Sequence, residues 1–549
     1  MVSELFTVDR IASIGPNEFR RDIQRLMTLL GFDVIDADGS GDKGADLVCV
    51  RGGEVWVIQS KFKKNVTSMC PNDALDQVLS ARNHYNANYA IIATSGRISP
   101  NLIDQTRTLA KDGLGLDIWS LTDMAKYWND APAPTEWTLR PYQTDAVNSL
   151  QRSLKGTKRG LLFLATGLGK TVVSGEIVRR HFLQNSNAKV LVLAHTVELI
   201  SQLLGSLVSM LPKHVSAQLI SGNDKPSALK GLTVATNLSI VSYLEQGYCP
   251  DFVVIDEAHH VGMDNTYAQI LALIPNWVPL LGVTATPWRS DQYDIKHTFG
   301  PPSFECGIEE GMRNGYLAQV DYRLFCDNID WDAIPSLSQH SYTIKNLNRK
   351  LFIPQRDERI VDRLLEAWMQ ISIPRGIVFC QSIQHCEYFL ELVKQYEFWG
   401  SAEILHSNLL RSERLRILTD FRTGRCNLIL AIDILNEGVD VPDVNLICFA
   451  RVTHSRKIFI QQLGRGLRVS KTKERVVVLD FVADIRRMFE LFALRSEATD
   501  EQEHLPYGNK IEFNNTQAER LVNEWIKDAA DLSTAHDEYQ LNFPQISWS

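Results

Sequence analysis

Val253-Val-Ile-Asp-Glu-Ala-His-His260 is an apolar run that ends in two adjacent carboxylates and two histidines. The apolar residues predict a strand, and the acidic pair would then lie where that strand ends. Carboxylate oxygens in such a place can hold Mg²⁺ beside a nucleoside triphosphate, and the second acid can orient the attacking water. The stretch therefore predicts a nucleotide site at a strand end of an α/β sheet.

A glycine-rich turn lies upstream of this run. Ala165-Thr-Gly-Leu-Gly-Lys-Thr171 follows the apolar residues Gly160–Leu164. Backbone N–H groups of such a turn cradle phosphates, Lys170 would reach the β- and γ-phosphates, and the Thr171 hydroxyl would bind the metal. The two motifs in this order predict a site for a nucleoside triphosphate.

Length and composition indicate a globular protein of several domains. The chain has 549 residues, of which 44% are hydrophobic and 22% charged, with a net charge of −8. The protein as a whole therefore does not attract nucleic acid by its charge. Any surface that binds nucleic acid must be a local basic region. The nine cysteines form no C-x-x-C pair, which argues against a zinc ribbon and a disulfide scaffold. No signal peptide and no run of 18 apolar residues is present, so we expect a cytoplasmic protein without a membrane partner.

The order of apolar and helical segments predicts the fold class. A Pro/Ala linker at 129–137 follows a compact α/β segment, 1–128, and cannot continue a helix. Beyond it, apolar strands alternate with helical stretches, which implies two parallel-sheet α/β domains, 138–315 and 316–490. A tail, 491–549, is acidic and helix-biased. The predicted strands are 160–164, 189–194, 232–235, 252–255 and 280–284 in the first of these domains, and 376–380, 402–405, 427–431, 445–449 and 475–480 in the second.

Further polar motifs lie at the ends of the predicted strands, where α/β sheets place their sites. Arg140-Pro-Tyr-Gln143 precedes the glycine-rich turn, and a glutamine amide can pair with the N6/N7 edge of adenine. The threonines of Gly282–Arg289 could relay the state of the γ-phosphate. In the second half, Gln461–Arg468 places Arg465 and Arg468 on one face if helical, where two guanidinium groups could clamp phosphate oxygens. Alone, this last motif could equally be a solvated basic helix face.

The motifs together resemble the motor of a superfamily 2 helicase or translocase with a D-E-A-H box, of the type III restriction enzyme and RadD-like kind. The resemblance spans about 138–490 and implies two RecA-like domains with ATP between them. It implies Mg²⁺ binding by Asp256 and Thr171, water activation by Glu257 and arginine fingers at Arg465 and Arg468. It also assigns nucleotide contacts, which are Arg140, Gln143, Thr166, Gly167, Gly169, Lys170, Thr171, Asp256, Gly438 and Asp440. Ala194–Leu199 and His406-Ser407 match looser positions that face nucleic acid or the domain interface.

A second constellation lies near the N-terminus. Val48–Val57 is predicted to form a hairpin that turns at Gly52-Gly53. This register places Asp46 directly opposite Gln59, on a face that Lys61 shares by strand alternation. A carboxylate, an amide oxygen and an ammonium then converge, which suits one hard metal ion beside an attacking water. The alternative without a function is a surface hairpin with three polar residues on its solvent-exposed face.

This arrangement resembles a PD-(D/E)xK nuclease of the Mrr restriction-endonuclease type, which often uses Q-x-K. The resemblance runs from about 15 to 125 and implies a restriction-endonuclease-like fold with Asp46, Gln59 and Lys61 as catalytic residues. The family often has Glu directly after the helix phenylalanine, where this chain has Arg20. Glu18 is adjacent but would point elsewhere, and the arginine could instead grip a DNA phosphate.

The sequence therefore predicts an ATP-driven DNA translocase or helicase fused to a Mg²⁺-dependent endonuclease. Duplex or single-stranded DNA would be its partner, in restriction of foreign DNA or in repair, with further defence or repair proteins as candidate partners. Two other interpretations stay open. The N-terminal domain could bind DNA ends or modified bases without cutting, or the motor could be an RNA helicase. The nuclease resemblance and the T-A-T-P motif favour DNA.

Overall fold

The chain divides into two compact units in the computed structural model. The first unit comprises Met1–Ala165, Gly169–Cys306 and Leu410–Thr423, and the second comprises Thr166–Leu168, Gly307–Leu409 and Gly424–Ser549. The residues that the structure describes are 5–37, 43–134, 138–222, 224–226, 229–262, 265–285, 294–325, 341–343, 345–347, 357–396, 400–432, 444–450, 475–481, 510–513 and 540–542.

The N-terminal part of the first unit is a five-stranded mixed sheet with the order β1-β2-β3-β4-β5. Strands β1 to β3 pair antiparallel, and β3, β4 and β5 pair parallel. Apolar side chains cover both faces of the sheet. The elements are α1 (Val8–Ser13), α2 (Pro16–Leu29), β1 (Asp33–Asp36), β2 (Leu47–Arg51), β3 (Glu54–Lys61), α3 (Ala74–His84), β4 (Tyr89–Thr94), α4 (Pro100–Lys111), β5 (Gly115–Trp119) and α5 (Leu121–Asp130).

The hairpin predicted from Gly52-Gly53 is confirmed. Both glycines have positive φ, 58° and 88°, as a two-residue turn of type I′ requires. Leu47 pairs with Ile58, and the Asp46 N–H donates to the Ile58 carbonyl at 2.9 Å. The predicted register therefore holds as far as the pair of Leu47 and Ile58, where the ladder ends, and Asp46 lies one residue beyond that pair, near Gln59.

A second sheet in the first unit has seven parallel strands, in the order β12-β6-β11-β10-β7-β9-β8. Its central strands are almost wholly buried aliphatic runs, which is typical of a parallel sheet covered on both faces. The elements are α6 (Pro141–Gly156), β6 (Arg159–Leu164), α7 (Lys170–Gln184), β7 (Lys189–Ala194), α8 (Val197–Val208), β8 (Ala217–Ile220), β9 (Gly231–Thr236), α9 (Asn237–Glu245), β10 (Phe252–Asp256), α10 (Thr266–Leu273), β11 (Leu280–Thr284), α11 (Lys296–Phe299) and β12 (Phe304–Cys306).

The second unit contains another sheet of seven parallel strands, β16-β17-β15-β18-β19-β13-β20, and a two-stranded sheet, β14-β21. The helix α15 lies between β16 and β17 in sequence but belongs to the first unit. The elements are α12 (Ile308–Arg313), β13 (Gln319–Phe325), β14 (Ser341–Thr343), α13 (Asp357–Met369), β15 (Gly376–Phe379), α14 (Ile383–Lys394), β16 (Ala402–Leu405), α15 (Arg411–Thr423), β17 (Leu428–Ala431), β18 (Leu446–Phe449), β19 (Arg475–Phe481), β20 (Lys510–Phe513) and β21 (Gln540–Asn542).

All ten strands predicted beyond the linker are present to within about one residue at each end. The prediction missed β8 and β12, which are short edge strands, and β13, whose polar residues alternate with apolar ones. It also missed β14 and β21, which have three residues each. It was also wrong for the described part of the tail, which was expected to be helical. Lys510-Ile-Glu-Phe513 instead forms β20 beside β13, because its alternation has the period of a strand.

The N-terminal part and the second sheet meet in the first unit through buried cations of α2. Arg25 donates to the carbonyls of Val215 (2.6 Å) and Pro212 (2.9 Å) and lies over the Trp128 ring. Arg21 pairs with Asp224. Burial lowers the pKa of both guanidinium groups to about 10. Besides the Pro/Ala linker, these contacts of Arg21 and Arg25 also join the two parts of the first unit.

We expect Arg25→Ala to lower the melting temperature of the first unit by about 4 °C or more. A buried acceptor left without its donor costs about 1–3 kcal/mol. The Val215 carbonyl would lose its donor, whereas the Pro212 carbonyl would keep the Val215 N–H at 3.0 Å. Differential scanning calorimetry of the full chain measures the shift. Arg107→Ala on the exposed side of α4 is the control. Equal melting of the two variants would mean that Arg25 does not stabilise the contact.

Candidate active sites

The glycine-rich turn connects the buried strand β6 to α7. Gly167 and Gly169 have φ of 93° and 85°, a left-handed conformation that favours glycine. A Cβ atom on Gly169 would lie 2.7 Å from Gln143 Nε2, so a side chain there would displace the Gln143 amide. The turn leads into the N-terminus of α7, where backbone N–H groups can bind phosphate.

The acidic pair lies at the carboxyl end of β10, in the middle of the second sheet. Lys170 Nζ, in the first turn of α7, is 3.6 Å from Glu257 Oε1. Glu257 itself has a φ of 47°, a left-handed conformation that is unusual for a residue with a side chain. Strain of this kind concentrates at functional sites, where the surrounding structure enforces it. The strands thus bring together the lysine and the acidic pair that the sequence predicted.

The electrostatics of the pair fit a bound cation. Burial and the neighbouring charge of Glu257 raise the pKa of Asp256 to about 7, although Lys170 opposes the shift. Two carboxylates in a desolvated place repel each other, and a divalent cation would relieve that repulsion. The available donors are the Asp256 carboxylate and the Thr171 hydroxyl. Hard oxygen atoms of this kind are the ligands that Mg²⁺ prefers.

The structure adds a contact that the sequence interpretation did not name. His259 Nδ1 lies 3.2 Å from Glu257 Oε2 and 2.9 Å from Thr284 Oγ1. Thr284 ends β11 and belongs to the threonine motif that was expected to sense the γ-phosphate. The His195 ring stacks on His260 at 4.1 Å between centroids. The only sequence signal for these contacts was the doubled histidine after the acidic pair.

Arg140 and Gln143 lie at the start of α6, next to the glycine-rich turn. Gln143 Oε1 accepts from the Arg140 N–H at 3.0 Å, and its Nε2 donates to the Tyr142 hydroxyl at 3.3 Å. The amide therefore caps the helix and is 7% exposed. Its role in reading adenine stays a prediction.

The motifs of the second motor half cannot be placed. Gly438 and Asp440, and the arginines Arg465 and Arg468, lie outside the described residues. Their roles stay predictions. His406 and Ser407 directly follow β16, so they too lie at a strand end.

In the N-terminal sheet, Asp46 and Gln59 are in contact as the register predicted. Gln59 Nε2 donates to Asp46 Oδ2 at 3.0 Å, and the same oxygen accepts from the Ser60 N–H (2.5 Å) and hydroxyl (2.6 Å). Ser60 was not identified from the sequence, because alternation assigns it to the other face. Asp46 and Gln59 are both 6% exposed, which contradicts the alternative of a surface hairpin with a solvent-exposed polar face.

The other end of the Gln59 amide is the feature that fits a metal. Gln59 Oε1 is buried and accepts no hydrogen bond within the described structure, which is costly for a polar atom. The described residues contain no cluster of three His, Cys, Asp or Glu side chains. Two oxygen ligands, Asp46 and Gln59, suit Mg²⁺, which commonly keeps several waters and binds through few protein groups.

Lys61 lies two residues beyond Gln59 on β3. Within the described residues its ammonium forms no hydrogen bond or ion pair with Asp46, and it donates to Gln77 Oε1 on α3. Asp46 and Gln59 therefore contact each other as predicted, whereas Lys61 contacts Gln77 of the neighbouring helix α3.

The helix acid of the nuclease family is replaced here by a paired arginine. Arg20 Nε lies 3.5 Å from Asp36 Oδ1. Glu18 Oε2 accepts from the Gly15 N–H at 3.0 Å, so it points to the helix start, as expected. Arg20 is thus engaged within the protein, and a phosphate would have to compete with Asp36 for it.

Three family models match the chain. "Type III restriction enzyme, res subunit" covers residues 136–289, "Helicase conserved C-terminal domain" covers 358–470, and "Restriction endonuclease" covers 11–127. The described residues contain no helix that is long and apolar enough to cross a membrane.

Relatives and solved structures agree with these matches. The "Putative ATP-dependent helicase IRC3" of Saccharomyces cerevisiae is 25% identical over 63% of this chain and 51% of that protein. The "Type I restriction enzyme EcoAI endonuclease subunit" of Escherichia coli is 25% identical over 64% of this chain and 47% of that protein. The chain thus spans about half the length of these relatives. The fold resembles the DNA-bound "Type ISP restriction-modification enzyme LlaBIII", with a TM-score of 0.51, 16% identity and coverage of 92% of this chain and 41% of that chain.

Proposed function

We propose that this chain, which combines a superfamily 2 helicase motor with an N-terminal restriction endonuclease domain, is an ATP-driven DNA translocase that cuts DNA. The observation that carries the proposal is the presence of two separate oxygen sites in one unit, one partly buried and one buried. One is the Asp256–Glu257 pair beside Lys170, and the other is the Asp46–Gln59 pair. Each fits a divalent cation. Lys170 lies 3.6 Å from the first pair, and Lys61 follows Gln59 of the second pair by two residues on β3.

In the motor, we infer the role of each residue from its charge and from its position in the site. Lys170 is a point charge at the start of α7 and would bind the β- and γ-phosphates of ATP. Asp256 and Thr171 would hold Mg²⁺, which supplies neutralisation of phosphate charge. Glu257 would orient the attacking water, and His259 holds that carboxylate from the side of Thr284. The catalytic base is thereby connected to the threonine motif.

In the nuclease, Asp46 and Gln59 would hold Mg²⁺ through oxygen atoms. The chemistry that such an ion supplies is activation of water and stabilisation of charge on the phosphate. Ser60 fixes the Asp46 carboxylate by two hydrogen bonds. Lys61 would stabilise the negative charge that grows on the phosphodiester in the transition state.

Similarity to restriction enzymes favours a role in the restriction of foreign DNA over repair. We propose the domain bounds expected from the sequence: 1–128 for the nuclease, 129–137 for the linker, 138–315 and 316–490 for the motor, and 491–549 for the tail. Further defence or repair proteins as partners stay part of the proposal.

The test is metal-dependent cleavage of duplex and single-stranded DNA by the purified chain, with and without ATP. We expect cleavage that requires Mg²⁺, and ATP hydrolysis that DNA stimulates. Absence of cleavage under all conditions would favour a DNA-binding module that does not cut. Arg20 in the place of the usual acid is the observation that keeps this second function open.

Arg468→Ala is expected to leave nucleotide binding unchanged but to lower DNA-stimulated ATP turnover about 10³-fold or more, because an arginine finger acts on the transition state. Arg468→Lys should rescue little, since an ammonium lacks the planar fork of guanidinium. Fluorescent nucleotide titration and phosphate release measure the two quantities. Full turnover in Arg468→Ala would move the finger role to Arg465 or remove it.

A further inference from the structure

The contact of Lys61 with α3 joins the nuclease site to a helix that the sequence analysis did not connect with it. Gln77 lies in the first turns of α3, and its side-chain oxygen accepts the Lys61 ammonium. At the other end of the amide, Nε2 donates to Asp73 Oδ2 at 3.0 Å. Asp73, Gln77 and Lys61 thus form a chain of hydrogen bonds from the start of α3 to the end of β3.

The carboxylate of Asp73 determines which way the Gln77 amide faces. An acceptor-only group must meet the NH₂ end of the amide, so the carbonyl oxygen is turned towards Lys61. If the amide were flipped, its NH₂ group would face an ammonium and its oxygen a carboxylate, and both contacts would be repulsive. The order of the three residues therefore presents an oxygen acceptor to Lys61.

The backbone of Gln77 also supports the other strand of the site. Gly44, two residues before Asp46, has a φ of 86°, and a Cβ atom there would lie 2.3 Å from the Gln77 carbonyl oxygen. The loop that delivers Asp46 thus packs directly on the backbone of the residue that binds Lys61. Gln77 therefore contacts both arms of the site, β3 by its side chain and the Asp46 loop by its backbone.

A neutral acceptor suits a lysine that must act on phosphate. Lysine has a long side chain with many rotamers, so an unanchored ammonium visits many positions. A carboxylate would anchor it but would also neutralise its charge. The glutamine oxygen fixes the direction of the side chain and leaves the full positive charge for the substrate.

We propose that Gln77 is a positioning residue of the nuclease, which fixes the Lys61 ammonium at the end of β3, two residues beyond Gln59, and is itself oriented by Asp73. This rests on the proposed nuclease function. Misplacement of a catalytic group by about 1 Å costs on the order of 10²-fold in rate. Loss of the anchor is therefore expected to slow cleavage about 10-fold to 100-fold without weakening DNA binding.

The test uses Gln77→Met in the full chain, which keeps the length of the side chain and removes the acceptor. Single-turnover cleavage rate, DNA affinity and half-saturating Mg²⁺ are measured against Asn83→Met, which removes an exposed amide from the same helix. We expect only the rate to fall, and only in Gln77→Met. Gln77→Glu keeps an oxygen acceptor and should cut faster than Gln77→Met.

A double-variant cycle separates positioning from general destabilisation. In the Lys61→Ala background, Gln77→Met should cause no further loss of rate, because its effect passes through Lys61. An equal loss in both backgrounds, or a wild-type rate in Gln77→Met, would overturn the positioning role. Failure of the nuclease proposal is recognised separately, since then the wild type would not cut or Asp46→Asn would cut as fast as the wild type.

Discussion

Glu257→Gln is expected to bind ATP as the wild type does and to turn it over about 10²-fold to 10⁴-fold more slowly, the range that general base catalysis contributes. The amide keeps the size of the side chain and loses the charge that orients and polarises water. It also loses the attraction between Glu257 and Lys170 across 3.6 Å. Because ATP is bound but not consumed, the variant should stay longer on DNA.

Phosphate release and an electrophoretic shift with ATP measure these effects. Glu245→Gln, an exposed substitution at the end of α9, is the matched control. A Glu257→Gln variant with the turnover of the control would refute the base assignment. A shift no tighter with ATP than without it would refute the trapped state.

Asp46→Asn is expected to abolish DNA cleavage while leaving DNA-stimulated ATP turnover near the wild-type rate. The substitution removes the negative charge of Asp46, which is the only carboxylate in the Asp46–Gln59 pair. A bound metal contributes several kcal/mol to the transition state, so loss of its site lowers the rate by about 10³-fold or more. Asparagine preserves the shape of the side chain, which keeps the contacts of Ser60 in place.

Cleavage and ATP hydrolysis are assayed on the same preparation, with Asp76→Asn on the exposed face of α3 as the control. If Asp46→Asn cut DNA at the rate of Asp76→Asn, the nuclease site would have to be elsewhere. If it lost ATP hydrolysis as well, the two chemistries would not be separable by this substitution.

The sequence predicted those parts of the site that depend on local periodicity. Aliphatic runs identified β10, which ends at Asp256, and β6, which leads into the glycine-rich turn before Lys170, because a buried parallel strand must be apolar on both faces. Gly52-Gly53 gave the hairpin register, and the register gave the contact between Asp46 and Gln59. Such patterns act over a few residues, and tertiary packing does not change them.

The contacts missed by the sequence analysis depend on tertiary packing. Arg25 binds two backbone carbonyls about 190 residues away, and a carbonyl has no sequence signature. Gln77 was likewise unremarkable until the helices and strands were in place, and the contacts of His259 with Glu257 and Thr284 could not be read from its motif. The sequence suggested a linker between two parts, whereas the structure shows that buried arginines of α2 also join them.

The most direct test of the coupling of motor and nuclease is cleavage of a long DNA duplex by three proteins: wild type, Lys170→Ala and Asp46→Asn. Cleaved product and released phosphate are measured in each reaction with Mg²⁺ and ATP. For the wild type we predict both cleaved DNA and released phosphate. For Asp46→Asn we predict released phosphate without cleavage, and for Lys170→Ala neither product, because the lysine is proposed to be the point charge on the β- and γ-phosphates. Cleavage by Lys170→Ala at the wild-type rate would show that the nuclease does not depend on the motor and would contradict the coupling. Cleavage by Asp46→Asn at the wild-type rate would contradict the nuclease itself.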